Sequence, residues 1–170
     1  MTPVKLGLRS LFTGVLVLLL GLWAPSPVAA DFKAGADAAL REEFNTAFRE
    51  WLPLAKAGDE RAQYNIGLMY EHGRGVPRDL QKAFNWYQRA AERGAVPAQH
   101  NLGAMYASGE AVKRDLVQAY KWFHIAAVTG FELAVDAVNK APQLLPPEEL
   151  GEARSLAIQW IENFTPEIGT

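Results

Sequence analysis

Between Ala62 and Gly94 the apolar residues keep two helical registers, separated by a polar break that carries glycine. Ala62, Ile66, Met69 and Tyr70 fall at i, i+4, i+7 and i+8, while Ala83, Trp86, Tyr87, Ala90 and Ala91 fall at i, i+3, i+4, i+7 and i+8. Each set is the single stripe that an amphipathic helix buries, so the pattern predicts a helical hairpin. Gly73 stands where the first helix needs a left-handed closing residue. Asp79 stands where the second needs a side-chain acceptor for its free N–H groups, and Gly94 where that helix stops.

Shifted by 36 residues, the pattern meets itself. Residues 62–97 laid over 98–133 give 16 identical positions, among them Gln63/Gln99, Asn65/Asn101, Gly67/Gly103, Tyr70/Tyr106, Asp79/Asp115, Trp86/Trp122 and Gly94/Gly130. A fixed period of this size marks stacked units that bury a shared core. Gly67 and Gly103 lie inside the first helix of their units, where glycine costs about 1 kcal/mol relative to alanine. Close approach of the second helix is the expected offset, with small Ala83, Ala90 and Ala91 and large Trp86 and Tyr87 interlocking against it.

Fragments of the unit extend both ways. Trp51, Ala55 and Gly58 precede Tyr87, Ala91 and Gly94 by 36 residues, so residues 36–57 are expected to form one second-type helix without a partner, bent at Pro53. After Gly130, residues 133–140 take the place of a third first-type helix, but Val135 replaces the glutamine and the internal glycine is missing. Pro146, Pro147, Glu148 and Glu149 then open a last helix, with proline tolerated and acid favoured in a first turn. Its apolar face carries Ala153, Leu156, Ala157 and Trp160. The expected fold class is all-α: a short α-solenoid of 36-residue hairpins forming one domain over residues 31–170. It comprises a half repeat at 36–58, repeats at 62–97 and 98–133, and a degenerate unit with a C-terminal capping helix at 134–163.

The first thirty residues read differently. Lys5 and Arg9 precede an apolar run at 11–23 and a small-residue stretch ending Val28-Ala29-Ala30, the layout of a secretory signal peptide cleaved after Ala30. The run falls short of the ~20 residues that span a bilayer, so export, to the periplasm of a bacterium, is expected without a stable membrane anchor after cleavage. The chain has no Cys, which removes disulfides, thiolate metal sites and thiol nucleophiles together. Without Lys5 and Arg9 there are 15 basic against 19 acidic residues, a net charge of −4. Nucleic acid is not an expected ligand for such a chain.

Ala62, Ile66, Gly67, Tyr70, Gly73, Gly75, Val76, Asp79, Ala83, Trp86, Ala90, Ala91 and Gly94 resemble, position for position, the unit of the Sel-one-like repeat (SLR) family, a relative of the tetratricopeptide repeats. The second unit matches again except that Ala111 stands where the second loop glycine belongs. If that position needs positive φ, alanine there costs roughly 1 kcal/mol; either the second loop differs or it tolerates the strain. The resemblance implies a right-handed solenoid and a non-catalytic adaptor that gathers other proteins. A second implication is an accessory role in cell-wall or exopolysaccharide handling, with a glycan as the alternative partner.

Catalytic chemistry finds little support. His72, His100 and His124 occupy three different repeat positions, without an H-E-x-x-H pair. Ser108 and Ser155, the only serines after residue 30, lie outside any G-x-S-x-G elbow. Gly73-Arg74-Gly75 follows a predicted helix rather than a strand and lacks the lysine of a phosphate loop. A hydrolase built from Glu71, His72 and His100 lacks a nucleophile. No catalytic residue, metal site or cofactor is therefore expected.

What remains is the face of each first-type helix that the core does not use. Tyr64, Leu68 and Glu71 fall at i, i+4 and i+7, and their equivalents one unit on are His100, Ala104 and Ala107. In a solenoid these rows line the concave groove, and here the two copies disagree: positions free of the fold's demands are where a binding surface can be written, and also where drift goes unpunished. Tyr64, Asn65, Leu68, Glu71, His100, Asn101 and Ala104 are the candidate partner-binding residues, with Asn65 and Asn101 placed to meet a peptide backbone. This division of core from groove is testable: Trp122→Ala should cost about 3–5 kcal/mol as an emptied aromatic core site, and Tyr64→Ala should not. Equal thermal melts of the two variants would erase the distinction.

Overall fold

In the computed structural model, residues 31–164 are described, and they form eight helices with no strand among them. The amino-terminal export signal read from the sequence lies outside these residues. In chain order the helices are α1 (Phe32–Leu40), α2 (Phe44–Ala57), α3 (Glu60–His72), α4 (Leu80–Glu92), α5 (Val96–Ser108), α6 (Leu116–Ala127), α7 (Glu132–Lys140) and α8 (Pro147–Asn163), with a 3-10 turn at Ala141–Gln143 before the last. Among the described residues no helix is long and apolar enough to cross a membrane.

Local chemistry sets the helix ends. Asp59 accepts from the backbone N–H groups of Arg61 and Ala62, Asp79 from that of Lys82, and Asp115 from that of Gln118. Each satisfies donors that a first helical turn leaves free. Gly73 and Gly109 close α3 and α5 in the left-handed conformation, at φ 68° and 75°. The loop that follows is pinned the same way in both units: the N–H of Asp79 donates to the carbonyl of Tyr70, and that of Asp115 to the carbonyl of Tyr106, both at 2.9 Å. The loops differ at one position. Gly75 sits at φ 72° against the backbone of Phe44, whereas Ala111 is absent from the positive-φ residues. The second loop has therefore changed course rather than absorbed strain.

Packing runs in strict alternation, α1 on α2, α2 on α3, α3 on α4, α4 on α5 and α5 on α6. Within each hairpin the contact is a glycine under an aromatic ring. A Cβ on Gly67 would lie 2.6 Å from the ring of Tyr87, and one on Gly103 2.9 Å from that of Phe123. Between hairpins, Gln63 and Gln99, both buried, donate to the carbonyls of Ala55 and Ala91 at the end of the preceding helix. Alanine fills much of the remainder: Ala47, Ala55, Ala62, Ala83, Ala90, Ala91, Ala98 and Ala126 are all buried. Side chains this small let helix axes approach closely, which keeps packing density high without large residues.

The expectation of a single helix over 36–57 is corrected by the structure. Arg41, Glu42 and Glu43 break it into α1 and α2, which pack on each other as a hairpin, and Glu42 adopts φ 61° at the turn. The reason is the same ring-over-glycine contact. Trp51 lies on Gly35 and donates its indole N–H to the carbonyl of Phe32 at 3.1 Å, so the unit has its own first helix. Gly35 precede Trp51 by 16 residues where Gly67 precedes Tyr87 by 20, and a fixed 36-residue shift passes over it. Pro53 lies inside α2, which continues beyond it to Ala57.

At the other end, α8 starts at Pro147 with Glu148 and Glu149 in its first turn, as the sequence predicts, and buries Ala153 and Ala157. It docks on α6. Trp160 meets the buried Trp122 edge to face at 5.8 Å, and Phe164, stacked on Trp160, covers Gly94. The C-terminal helix thus seals the central core, whose members run from Ala83 on α4 to Ala157 on α8.

These contacts predict opposite signs for one substitution. Gly67→Ala gains helix propensity but drives a methyl into the fully buried Tyr87 ring, so it should lower stability by about 1–3 kcal/mol. Gly151→Ala on α8 meets nothing within 4 Å and should raise stability by about 0.5–1 kcal/mol. Chemical denaturation of the two variants beside the parent measures both.

Candidate functional site

The face shared by α3 and α5 gathers the candidate residues around one buried hydroxyl. Helical spacing puts Tyr64, Leu68 and Glu71 in a row along α3, and the next hairpin sets Asn101 of α5 beside them. Tyr87, reaching up from α4, donates its hydroxyl to Glu71 Oε2 at 2.5 Å. The Tyr64 ring lies 5.8 Å from that of Tyr87, tilted by 35°. Burial first, then the bond to Glu71 and its charge, push the Tyr87 hydroxyl far above the ordinary tyrosine range. It stays a donor at any physiological pH. Tyr64 is raised in the same direction, by burial and then by the Glu71 charge, while the Asn101 side chain pulls it the other way.

One unit on, the surroundings turn apolar. His100 is flanked by the rings of Phe123 at 5.4 Å and Phe131 at 5.5 Å, and its Nδ1 lies 3.3 Å from Asn101 Oδ1. Ala104 is exposed beside it. Beyond them Ala107, Tyr120, Phe123, Ala137 and Leu144 line an apolar cleft between α5, α6 and α7. Leu144 is 60% exposed at its rim.

The structure brings Tyr64, Glu71 and Asn101 together, with His100 joined through Asn101. Leu68 and Tyr64 also pack against the central core, so neither is as free of the fold as the repeat comparison suggests. Asn65 is half-buried on α3 and takes no part in the network. Tyr87 and the cleft are what sequence reasoning missed, since Tyr87 falls on a core register. A signal was there: Tyr87 with Glu71 in one unit becomes Phe123 with Ala107 in the next, so hydroxyl and carboxylate are lost together.

The histidines separate in space and role. His72 is exposed at the end of α3. His124 stacks on Tyr120, whose hydroxyl accepts from Arg154 of α8 at 3.1 Å. Burial, with Arg154 adding to it, holds His124 below the usual histidine range. This is a joint between α6 and α8. Among the described residues no group of three or more His, Asp or Glu is placed to hold a metal ion.

The Tyr87–Glu71 bond makes a stability prediction. Tyr87→Phe keeps the ring over Gly67 but leaves a half-buried carboxylate without its donor, and should cost about 1–2 kcal/mol. Glu71→Gln, whose amide oxygen can still accept, should cost less. Thermal melts that place the two variants in the reverse order would remove the bond from the account.

Comparison with known proteins places this geometry. The Sel1 repeat model matches residues 60–94 and 96–127. Over 74 residues the chain is 38% identical to the chitin synthase regulator SKT5 of Saccharomyces cerevisiae, covering 44% of this chain and 10% of that protein. Over 41 residues it is 51% identical to the DAP3-binding cell death enhancer 1 of Rattus norvegicus, covering 24% of this chain and 8% of that one. The chain thus spans about a tenth of the length of the curated relatives it matches. Among solved structures, a protective antigen present in uropathogenic Escherichia coli strains, displaying an SLR fold, superposes with a TM-score of 0.73 at 34% identity, over 78% of this chain and 29% of that chain. A Sel1 repeat protein from Oxalobacter formigenes shares the fold at a TM-score of 0.64 and 24% identity, over 76% of this chain and 56% of the other.

Proposed function

We propose that this chain, which is a Sel1-like repeat protein, acts as an exported, non-catalytic adaptor that holds another protein or a peptide on the face shared by α3 and α5. Sel1 repeats generally mediate protein–protein interaction. Two relatives that share the repeat are named for such roles, one as a regulator of chitin synthase and one as a binder of DAP3.

The observation that carries the reading is the mismatch between the two units along this row of α3 and α5, beside positions that the packing keeps unchanged. Gly67/Gly103, Gly73/Gly109, Gly94/Gly130, Asp79/Asp115, the buried Gln63/Gln99 and Trp86/Trp122 are written twice without change, because the packing requires them. Tyr64, Leu68 and Glu71 become His100, Ala104 and Ala107, and these residues surround partly exposed rings and a half-buried carboxylate. A surface of that kind supplies aromatic area and a few fixed polar groups, the features of a recognition site. Export is supported by Lys5, Arg9, the apolar run at 11–23 and Val28-Ala29-Ala30. It places the partner outside the cytoplasm.

Affinity capture from an exported-protein extract tests the reading, using residues 31–170 beside Ala104→Arg, which obstructs the face from an exposed position, and Gln81→Arg, an exposed change of equal charge on α4. Proteins retained by the parent and Gln81→Arg but lost with Ala104→Arg are the expected result. Equal retention by all three overturns the assignment of this face. Retention of glycan fragments without protein would put the wall-accessory role in its place.

A further inference from the structure

We propose that the groove selects its ligand by charge: it takes an extended peptide segment that sets a Lys or Arg side chain against Glu71 and, about three residues away, a large apolar side chain in the cleft beside Ala107. This rests on the groove reading above and adds its chemistry. The first support is the state of Glu71. Its carboxylate is half-buried and receives one hydroxyl, from Tyr87, and among the described residues no lysine, arginine or histidine forms an ion pair with it. Arg78, on the loop that follows, donates instead to the backbone carbonyl of Glu71. A half-buried carboxylate keeps its second oxygen and most of its charge available, in a setting where an ion pair is screened less than at an open surface.

The second support is what borders that oxygen. Tyr64 lies near enough for the Glu71 charge to raise its hydroxyl, so a cation that approaches Glu71 comes close to an aromatic side chain, a setting that favours Lys and Arg over neutral groups. Asn101 adds an amide able to meet a peptide backbone. Among the described residues no basic group of α4 or α5 pairs with the carboxylate: its α4 contact is the Tyr87 hydroxyl, and His100 on α5 lies against Asn101, Phe123 and Phe131. The net charge of −4 over residues 31–170 favours approach of a basic partner.

The third support is the neighbouring unit. There the carboxylate position is Ala107 and the hydroxyl position is Phe123, so the equivalent spot is the apolar cleft completed by Tyr120, Ala137 and Leu144. Side chains of α3 and α5 meet, Tyr64 against Asn101, so the two subsites differ by one repeat step of roughly 10 Å between neighbouring helices, which an extended chain crosses in about three residues at 3.3 Å each. Charge at one end and an apolar pocket at the other give the groove a polarity that two identical units could not have.

Selection from a random peptide display library on immobilised residues 31–170, repeated with Glu71→Gln and with Ala104→Arg, tests this. Expected are peptides with Lys or Arg and a Leu, Ile or Phe two to four residues apart. Against Glu71→Gln the basic preference should vanish while the apolar one persists. A selected peptide should bind Glu71→Gln about 10-fold more weakly than the parent, and its Lys→Gln version should bind both equally, a coupling that a double-mutant cycle reads directly. Peptides that are lost with Ala104→Arg yet show no basic preference, or keep it against Glu71→Gln, overturn the charge proposal and leave the groove reading intact. Peptides indifferent to Ala104→Arg, or none selected at all, overturn both.

Discussion

An aromatic ring packed directly on a glycine is the contact from which the rest of this structure is built. It occurs three times, as Trp51 on Gly35, Tyr87 on Gly67 and Phe123 on Gly103. Each instance brings the two helices of a hairpin closer than any side chain on the glycine would allow. The loss of helix propensity at an internal glycine, about 1 kcal/mol, is offset by the dispersion contacts that this close approach of ring and backbone makes. With the hairpin that tight, its neighbours can be joined by alanines and by one buried glutamine per step. The solenoid therefore needs neither disulfides nor a large central cluster of leucines.

The same contact prepares the candidate site. A ring anchored on Gly67 has one free end, and in Tyr87 that end is a hydroxyl aimed at Glu71 across the face of α3. The carboxylate is held by the fold rather than by a cation, and so remains available to one. In the next unit the anchored ring is Phe123, without a hydroxyl, and the facing residue is Ala107. The fold's demand for a flat ring is met in both places. Among the differences are the atom at the ring's tip and its partner, and losing both turns a polar spot into an apolar one.

Solenoids of so few units are exposed at their ends, and both ends here depart from the repeat. At the start, a loop four residues shorter joins α1 to α2 and leaves Glu42 at positive φ. At the finish, α8 docks on α6, and the stacked Trp160 and Phe164 cover Trp122 and Gly94. Arg154, bonded to Tyr120 beside His124, fixes the register of that docking. The apolar cleft lies where this closing arrangement is least regular, between α6 and the degenerate α7.

Much of this is legible in one dimension because it rests on short-range rules. The 3.6-residue stripe, an aspartate before a first turn, a glycine after a last one and the 36-residue period all connect residues close in sequence, and the hairpins, caps and stops follow from them. The candidate polar positions on α3 were singled out the same way, since a repeat that keeps Gly67/Gly103 but changes Glu71 to Ala107 separates positions that packing requires from positions that vary. Other features depend on distances between residues far apart in the chain. Gly35 could be recognised as a partner for Trp51 only once α1 was folded back on α2, because the shorter loop hides it from a fixed period. Tyr87 belongs to a core stripe by its spacing, and only the crossing of α4 beneath α3 points its hydroxyl at Glu71. Whether Ala111 was strained, where α8 would dock, and that Leu68 leans into the core were set by packing geometry, which fixes directions that spacing alone leaves free.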